Sequence, residues 1–211
     1  MPAINQTVTQ NLWLFLISAA GISLSGVMLP GPLTAATIAK GYSDKNAGAF
    51  IGIGHGVIEL PIIALIYFGF ASFLADPLVK QITGVAGGVL LIFMGTMIFF
   101  TFKKPVNEAG MLPYNSLVTG IIMTGGNPYF FLWWATIGIA LIASAVSFGV
   151  YALVLFIIIH WSCDIVWEQI ISMTVFRTRH LWTPRVQKTI FGMCAVVLIV
   201  FGIYFGISVF L

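Results

Sequence analysis

Long apolar runs, interrupted by few polar positions, dominate the chain. A helix crossing the hydrocarbon needs about 20 apolar residues, and charge-free gaps of that length recur often enough for six crossings. No charge precedes Lys40, and residues 12–39 suffice for one helix with a broken middle. A second span is predicted over about 47–74, interrupted by Glu59 alone, and a third over about 77–102. Residues 103–113 form a short polar loop. Residues 109–163 carry no charge, which is more than one helix requires, and the small residues of 144–149 offer a turn. Spans four and five therefore meet there. Span five continues to about Phe176, a basic segment carries Arg177, Arg179, Arg185 and Lys188, and span six fills 189–211.

Composition agrees with this pattern and narrows the class. Of 211 residues, 9 are Lys or Arg and 6 are Asp or Glu; at 7% charged the chain falls far below the roughly 25% of a soluble domain. With 60% apolar residues and a mean hydropathy of +1.07, polar surface is too scarce to cover a water-facing globule. A soluble enzyme, a nucleic-acid-binding domain and a disordered tail are excluded together. The lipid bilayer is the partner that this composition demands. Counting Lys and Arg gives two after span one, one after span two, two after span three, none after span four and four after span five. The loops after spans one, three and five are thus expected in the cytoplasm, with both termini outside. The N-terminus lacks the positive segment of a cleaved leader.

Two anomalies recur with the period of three spans. Span one is interrupted by Leu29-Pro30-Gly31-Pro32 and span four by Gly125-Gly126-Asn127-Pro128. Proline removes a backbone donor and clashes with the preceding turn, so each motif should end one half-helix and start another. Span two carries His55 and Glu59, and span five carries His160, Asp164 and Glu168, in each case on one helical stripe. The fold class expected is an all-α membrane protein: six transmembrane helices as two inverted three-helix repeats, with helices one and four broken. Residues 1–211 form a single transmembrane domain, repeat one covering about 8–102 and repeat two about 114–211. Because each repeat has an odd number of spans, the second enters from the opposite side. At about 1.5 Å per residue, Glu59 lies roughly 21 Å from Lys45 and Asp164 roughly 20 Å from Arg177, so both acids sit near the midplane.

Paired broken helices in an inverted repeat point to the binding site of a secondary transporter. A half-helix beginning at Pro32 or Pro128 presents free N–H groups and the positive end of its dipole to an anion. Thr34 and Thr37 add hydroxyls after the first break; Tyr129, Phe130, Phe131, Trp133 and Trp134 follow the second and are suited to stacking. The expected substrate site is Pro30, Gly31, Pro32, Thr34, Thr37, Asn127 and Pro128. The proton or cation site is His55, Glu59, His160, Asp164 and Glu168, since ionisable groups in hydrocarbon mark transport pathways. A buried pair that only fixes packing, and a membrane scaffold that transports nothing, remain alternatives. Gly48, Gly52 and Gly56, and likewise Gly84 with Gly88 and Gly202 with Gly206, form small-residue ridges that serve packing within the chain or a homo-oligomer equally well. Trp13, Tyr42, Tyr114 and Trp182 read as interfacial anchors. Cys163 and Cys194 read as small apolar residues. Neither a zincin motif nor a catalytic triad is present, so no enzyme is expected, and no cofactor.

The sequence Leu29-Pro30-Gly31-Pro32-Leu33-Thr34, the Gly-rich second span and Gly126-Asn127-Pro128 opening the fourth resemble the lysine exporter (LysE/RhtB) family over nearly the whole chain. The resemblance implies an exporter of amino acids or related metabolites in a prokaryotic inner membrane, driven by a proton or cation gradient. Leu33 departs from the small or acidic residues common after Pro-Gly-Pro in that family. The His and acid stripes are also rich in metal-type ligands, and the wider superfamily is similar to exporters of Cd²⁺, Mn²⁺ and Ni²⁺. A divalent-metal exporter using His55, Glu59, His160 and Asp164 is therefore the alternative to an amino-acid exporter. In the first reading the amides after Pro32 and Pro128 take a carboxylate, Thr34 and Asn127 donate side-chain hydrogen bonds, and Glu59 or Asp164 takes the ammonium or the coupling proton.

Overall fold

The computed structural model describes residues 11–28, 31–69, 77–101, 112–208 and 210, and among them the regular structure is entirely helical. Asn11 opens α1 (Leu12–Val27) by accepting from the Trp13 and Leu14 amides, satisfying two of the donors that a helix start leaves free. A break follows, and α2 (Pro32–Gly41) leaves it at 74° to α1 with proline in its first turn. Proline suits that position because its fixed φ and missing N–H carry no penalty there. Pro30, one of the expected site residues, lies outside the described residues. Next come α3 (Ala47–Tyr67) and α4 (Pro77–Thr101), the former ending before the predicted limit of span two.

The second break is more elaborate. After α5 (Ser116–Gly125), Gly126 and Asn127 interrupt the chain, and α6 (Pro128–Trp133) runs through one π turn at Trp134–Gly138 into α7 (Ile139–Ser147). At this turn the Trp134 ring lies over Gly138, where a Cβ would stand 2.2 Å from it. The predicted turn between spans four and five falls at Phe148 and Gly149. Gly149 holds φ at 99°, a left-handed conformation open to glycine and strained for other residues. Then α8 (Val150–Thr178) ends in a 3₁₀ turn, and α9 (Pro184–Ser208) completes the chain.

Among the described residues, four helical stretches are long and apolar enough to cross a membrane, Ala47–Tyr67, Tyr129–Ser147, Val150–Leu181 and Pro184–Ile207, and the bent α1/α2 pair makes a fifth if it is counted as one span. The apolar part of α4, Gly84–Phe100, is a little shorter. Outward faces are apolar: Ile17, Val89, Tyr151, Ile158 and Val200 are all exposed, which suits lipid and not water. The protein is a multi-pass membrane protein.

Small residues decide how closely these helices approach. On α3, a Cβ at Gly48 would stand 2.0 Å from the Glu168 carbonyl oxygen, one at Gly52 2.8 Å from Ile165 Cα and one at Gly56 2.2 Å from the Trp161 indole. The ridge thus sets α3 backbone to backbone against α8, antiparallel, and Trp161 Nε1 donates to Gly52 O at 3.0 Å. Gly88 and Gly202 bring α4 and α9 together in the same way. These ridges are used within the chain. The other principal contacts pair α3 with α5 and α8 with both α1 and α2.

Among the described residues, Lys40, Lys45 and Arg179 tie the ends of neighbouring helices together. Lys40 Nζ donates to the carbonyls of Leu112, at 3.0 Å, and Tyr114; Arg179 donates to Tyr42 O at 2.7 Å; and Lys45 O accepts from Gln169 and Ser172. Tyr42 and Trp182, expected as interfacial anchors, pack against each other with tilted rings at 5.4 Å and each meets Phe191 edgewise. Trp13 is exposed, as an interfacial anchor requires.

Candidate functional site

Because α3 and α8 pack along the glycine ridge, their ionisable stripes face each other in the middle of the bundle. Glu59 Oε1 lies 3.1 Å from His55 Nε2 and 3.0 Å from His160 Nε2. Asp164 Oδ2 sits 3.9 and 3.8 Å from the same two nitrogens without a hydrogen bond. Glu59 is 1% exposed, His160 and Asp164 4%. One carboxylate oxygen is therefore shared by two imidazoles, with a second carboxylate alongside.

Two hydroxyls that the sequence reading did not single out fix the histidine rings. Thr124 Oγ1, at the end of α5, is 2.8 Å from His55 Nδ1, and Ser23 Oγ, on α1, is 2.6 Å from His160 Nδ1. Each histidine is thus held by a hydroxyl from a half-helix that precedes a break, His55 by α5 and His160 by α1. Ser23 also reaches Ala19 O at 2.7 Å. With its single hydrogen directed there, Ser23 accepts from His160 Nδ1–H, and the contact of Nε2 with Glu59 then requires a second proton, on the imidazole or on the carboxyl. Their only sequence signal is a small hydroxyl residue in the helix shortly before each break.

Aromatic residues after the second break enclose the histidines rather than standing free for stacking. Trp133 stacks on His160 at 5.4 Å, Trp134 meets its edge at 5.1 Å and Phe130 packs edgewise on His55 at 5.3 Å. Such walls exclude water from the pairs and strengthen their electrostatics.

A cavity of about 330 Å³ opens beside this cluster. Of the sequence-predicted residues, Gly31, Pro32, Thr34, His55, Glu59, Asn127, His160, Asp164 and Glu168 line it. Thr37 is fully buried behind this wall. The two helix starts differ. Asn127 Oδ1 accepts from the Tyr129 amide at 3.1 Å, so the start of α6 is already capped by its own side chain. The start of α2 has Gly31 as its cap and no side-chain partner, which leaves the Leu33 and Thr34 amides uncapped on residues that line the cavity, a setting that suits an anion. His55, Glu59 and Asp164 also present ligand atoms within 4.8 Å of one another, a spacing that one metal ion can bridge.

An ionisable cavity at the centre of a multi-pass helical bundle, between the two chain breaks, defines a membrane translocator by class. The chain belongs to the LysE type translocator family, whose sequence model matches residues 24–209. It is also similar to the protein named "Putative amino acid efflux protein YcgF" of Bacillus subtilis (strain 168), at 28% identity over 192 residues, covering 88% of this chain and 91% of the relative. No solved structure matches the chain.

Proposed function

We propose that this protein exports an amino acid or a similar small zwitterion, coupled to a proton or cation gradient, by alternating access in a prokaryotic inner membrane. The observation that carries the reading is the two-histidine, one-carboxylate cluster in the wall of a cavity between two broken helices, in a chain of a translocator family. The name of the Bacillus relative supports an amino acid as cargo. The extra proton that the His160–Glu59 contact requires supports proton coupling, with Asp164 as a nearby acceptor.

Six spans in two inverted repeats are the architecture behind this mechanism. Its support is a matching set of contacts: α3 packs on α5 as α8 packs on α1, α3 meets α8, and α4 meets α9. The collection of Lys40, Lys45 and Arg179 at one end supports a cytoplasmic position for the loops after spans one, three and five, with both termini outside. Rocking one repeat on the other would expose the cavity to each side in turn. The uncapped start of α2 takes the substrate carboxylate, with Thr34 beside it.

The test is thermal unfolding of the purified protein with each of the twenty amino acids and with Zn²⁺, Mn²⁺, Cd²⁺ and Ni²⁺. A ligand at about 100 times its Kd stabilises the folded state by about 2.7 kcal/mol. One amino-acid class should raise the melting temperature, and Thr34→Val should remove the effect. Stabilisation by a metal alone, lost in both His55→Ala and His160→Ala, would replace this reading with a divalent-metal exporter. Intact gradient-driven export in both Glu59→Gln and Asp164→Asn would overturn the coupling role.

A further inference from the structure

Glu59 is bracketed by histidines, whereas Glu168 has no such company. Both oxygens of Glu168 are buried and accept no hydrogen bond, although the residue lines the cavity. Its polar neighbour on α2 is the buried Thr37 hydroxyl, which faces it without closing a hydrogen bond. Glu168 and Thr37 are each 0% exposed. Burying a carboxylate without donors or a counter-cation is strongly unfavourable, so a fold that keeps one against a cavity has left room for a ligand to complete it.

Position specifies what that ligand is. The close approach at Gly48 fixes the α8 backbone at Glu168 itself, one helical turn, or about 6 Å, from Asp164 towards the C-terminal end of α8. On α2 the uncapped amides of the first turn precede Thr37 by about one turn, again about 5 to 6 Å along the axis. A single short helix therefore offers N–H donors to an anionic group and, one turn on, borders oxygen acceptors for a cationic group. The cavity wall beside them is apolar, with Val27, Leu33 and Phe201. An α-amino acid presents this arrangement: a carboxylate and an ammonium on one carbon, with a side chain leading away.

We propose that Glu168, with the Thr37 hydroxyl buried beside it, forms the cation subsite of the cavity and takes the primary ammonium of the substrate, whose carboxylate rests on the first turn of α2. Glu59 stays with its two histidines and serves the proton. This assignment rests on the amino-acid reading above. An inorganic cation such as Na⁺ shares the preference for oxygen acceptors, and the experiment separates the two.

Proteoliposomes are loaded with an equimolar mixture of the twenty amino acids, and export is followed by mass spectrometry in sodium and in choline medium. For the exported amino acid, the internal concentration giving half-maximal rate should rise about tenfold or more in Glu168→Gln, the loss of one charge-assisted contact. Thr37→Val should give a smaller rise, and both effects should be the same in choline. Unliganded Glu168→Gln should melt no lower than the wild type, because the group it replaces has no partner to lose. An unchanged half-maximal concentration in Glu168→Gln, or a lowered melting temperature, overturns the subsite. Export that fails in choline, with a sodium requirement shifted by Glu168→Gln, overturns the ammonium in favour of the inorganic cation. A wild type that exports none of the twenty removes the amino-acid reading itself, a result distinct from wild-type export with an unaffected Glu168→Gln variant.

Discussion

Ser23 and Thr124 illustrate how much of this site is held by groups of no net charge. Each hydroxyl turns a histidine so that Nε2 faces Glu59, and a ring free to flip would lose that register. Ser23→Ala removes the acceptor for His160 Nδ1–H inside the bundle, and leaving such a donor unsatisfied costs about 1–3 kcal/mol. Denaturation in detergent should register a loss of that size for Ser23→Ala. Ser25→Ala is the control, since Ser25 is exposed and bonds only to Ile22 O; its effect should stay within about 0.5 kcal/mol. Equal effects at the two positions would remove the orienting role of Ser23. Asn127 carries a related lesson. The sequence marks it as polar and beside a break, but only the structure reveals that its oxygen serves the α6 backbone and not the cavity.

Among the elements, the α3–α8 pair is the frame of the site. Three glycines at four-residue spacing bring the helices together, and the His and acid stripes then meet because they run alongside that ridge at the same levels of the two helices. Gly48→Ala would push a methyl into the Glu168 carbonyl, a backbone atom that cannot rotate away. Overpacking of this kind costs roughly 1–3 kcal/mol or more, and the melting temperature should fall accordingly. Gly192→Ala, in α9, meets nothing within 4 Å. As alanine is the better helix former by about 1 kcal/mol, that variant should be neutral or slightly stabilised. If Gly48→Ala proved as mild as Gly192→Ala, the close α3–α8 approach would be wrong.

For the whole molecule, the proposed odd number of crossings per repeat and the distribution of Lys and Arg would give one topology. Maleimide labelling of intact cells tests it, in a background where Cys163→Ser and Cys194→Ser remove the native thiols. Phe148→Cys, in the turn between α7 and α8, should react with a membrane-impermeant reagent added outside. Lys45→Cys and Lys188→Cys should react only after permeabilisation. The reverse pattern would invert the orientation, and labelling of all three from one side would dismiss the six-span inverted arrangement.

The membrane class, and most of the polar residues that line the cavity, are legible along the chain. Scarce charge forces the chain into lipid, prolines beside glycines force the two breaks, and four-residue spacing places His55 with Glu59 and His160 with Asp164 and Glu168 on single faces. Those are local properties of covalent geometry and helical period, so they can be read along a line. Which group partners which follows from the packing of the helices. Glu59 lies between both imidazoles while Glu168 lies apart from them, and α6 caps itself while α2 does not. Helical spacing fixes which face a residue occupies, but hydrogen-bond partners depend on where a second helix comes to rest against that face, and this is set by packing between segments about a hundred residues apart.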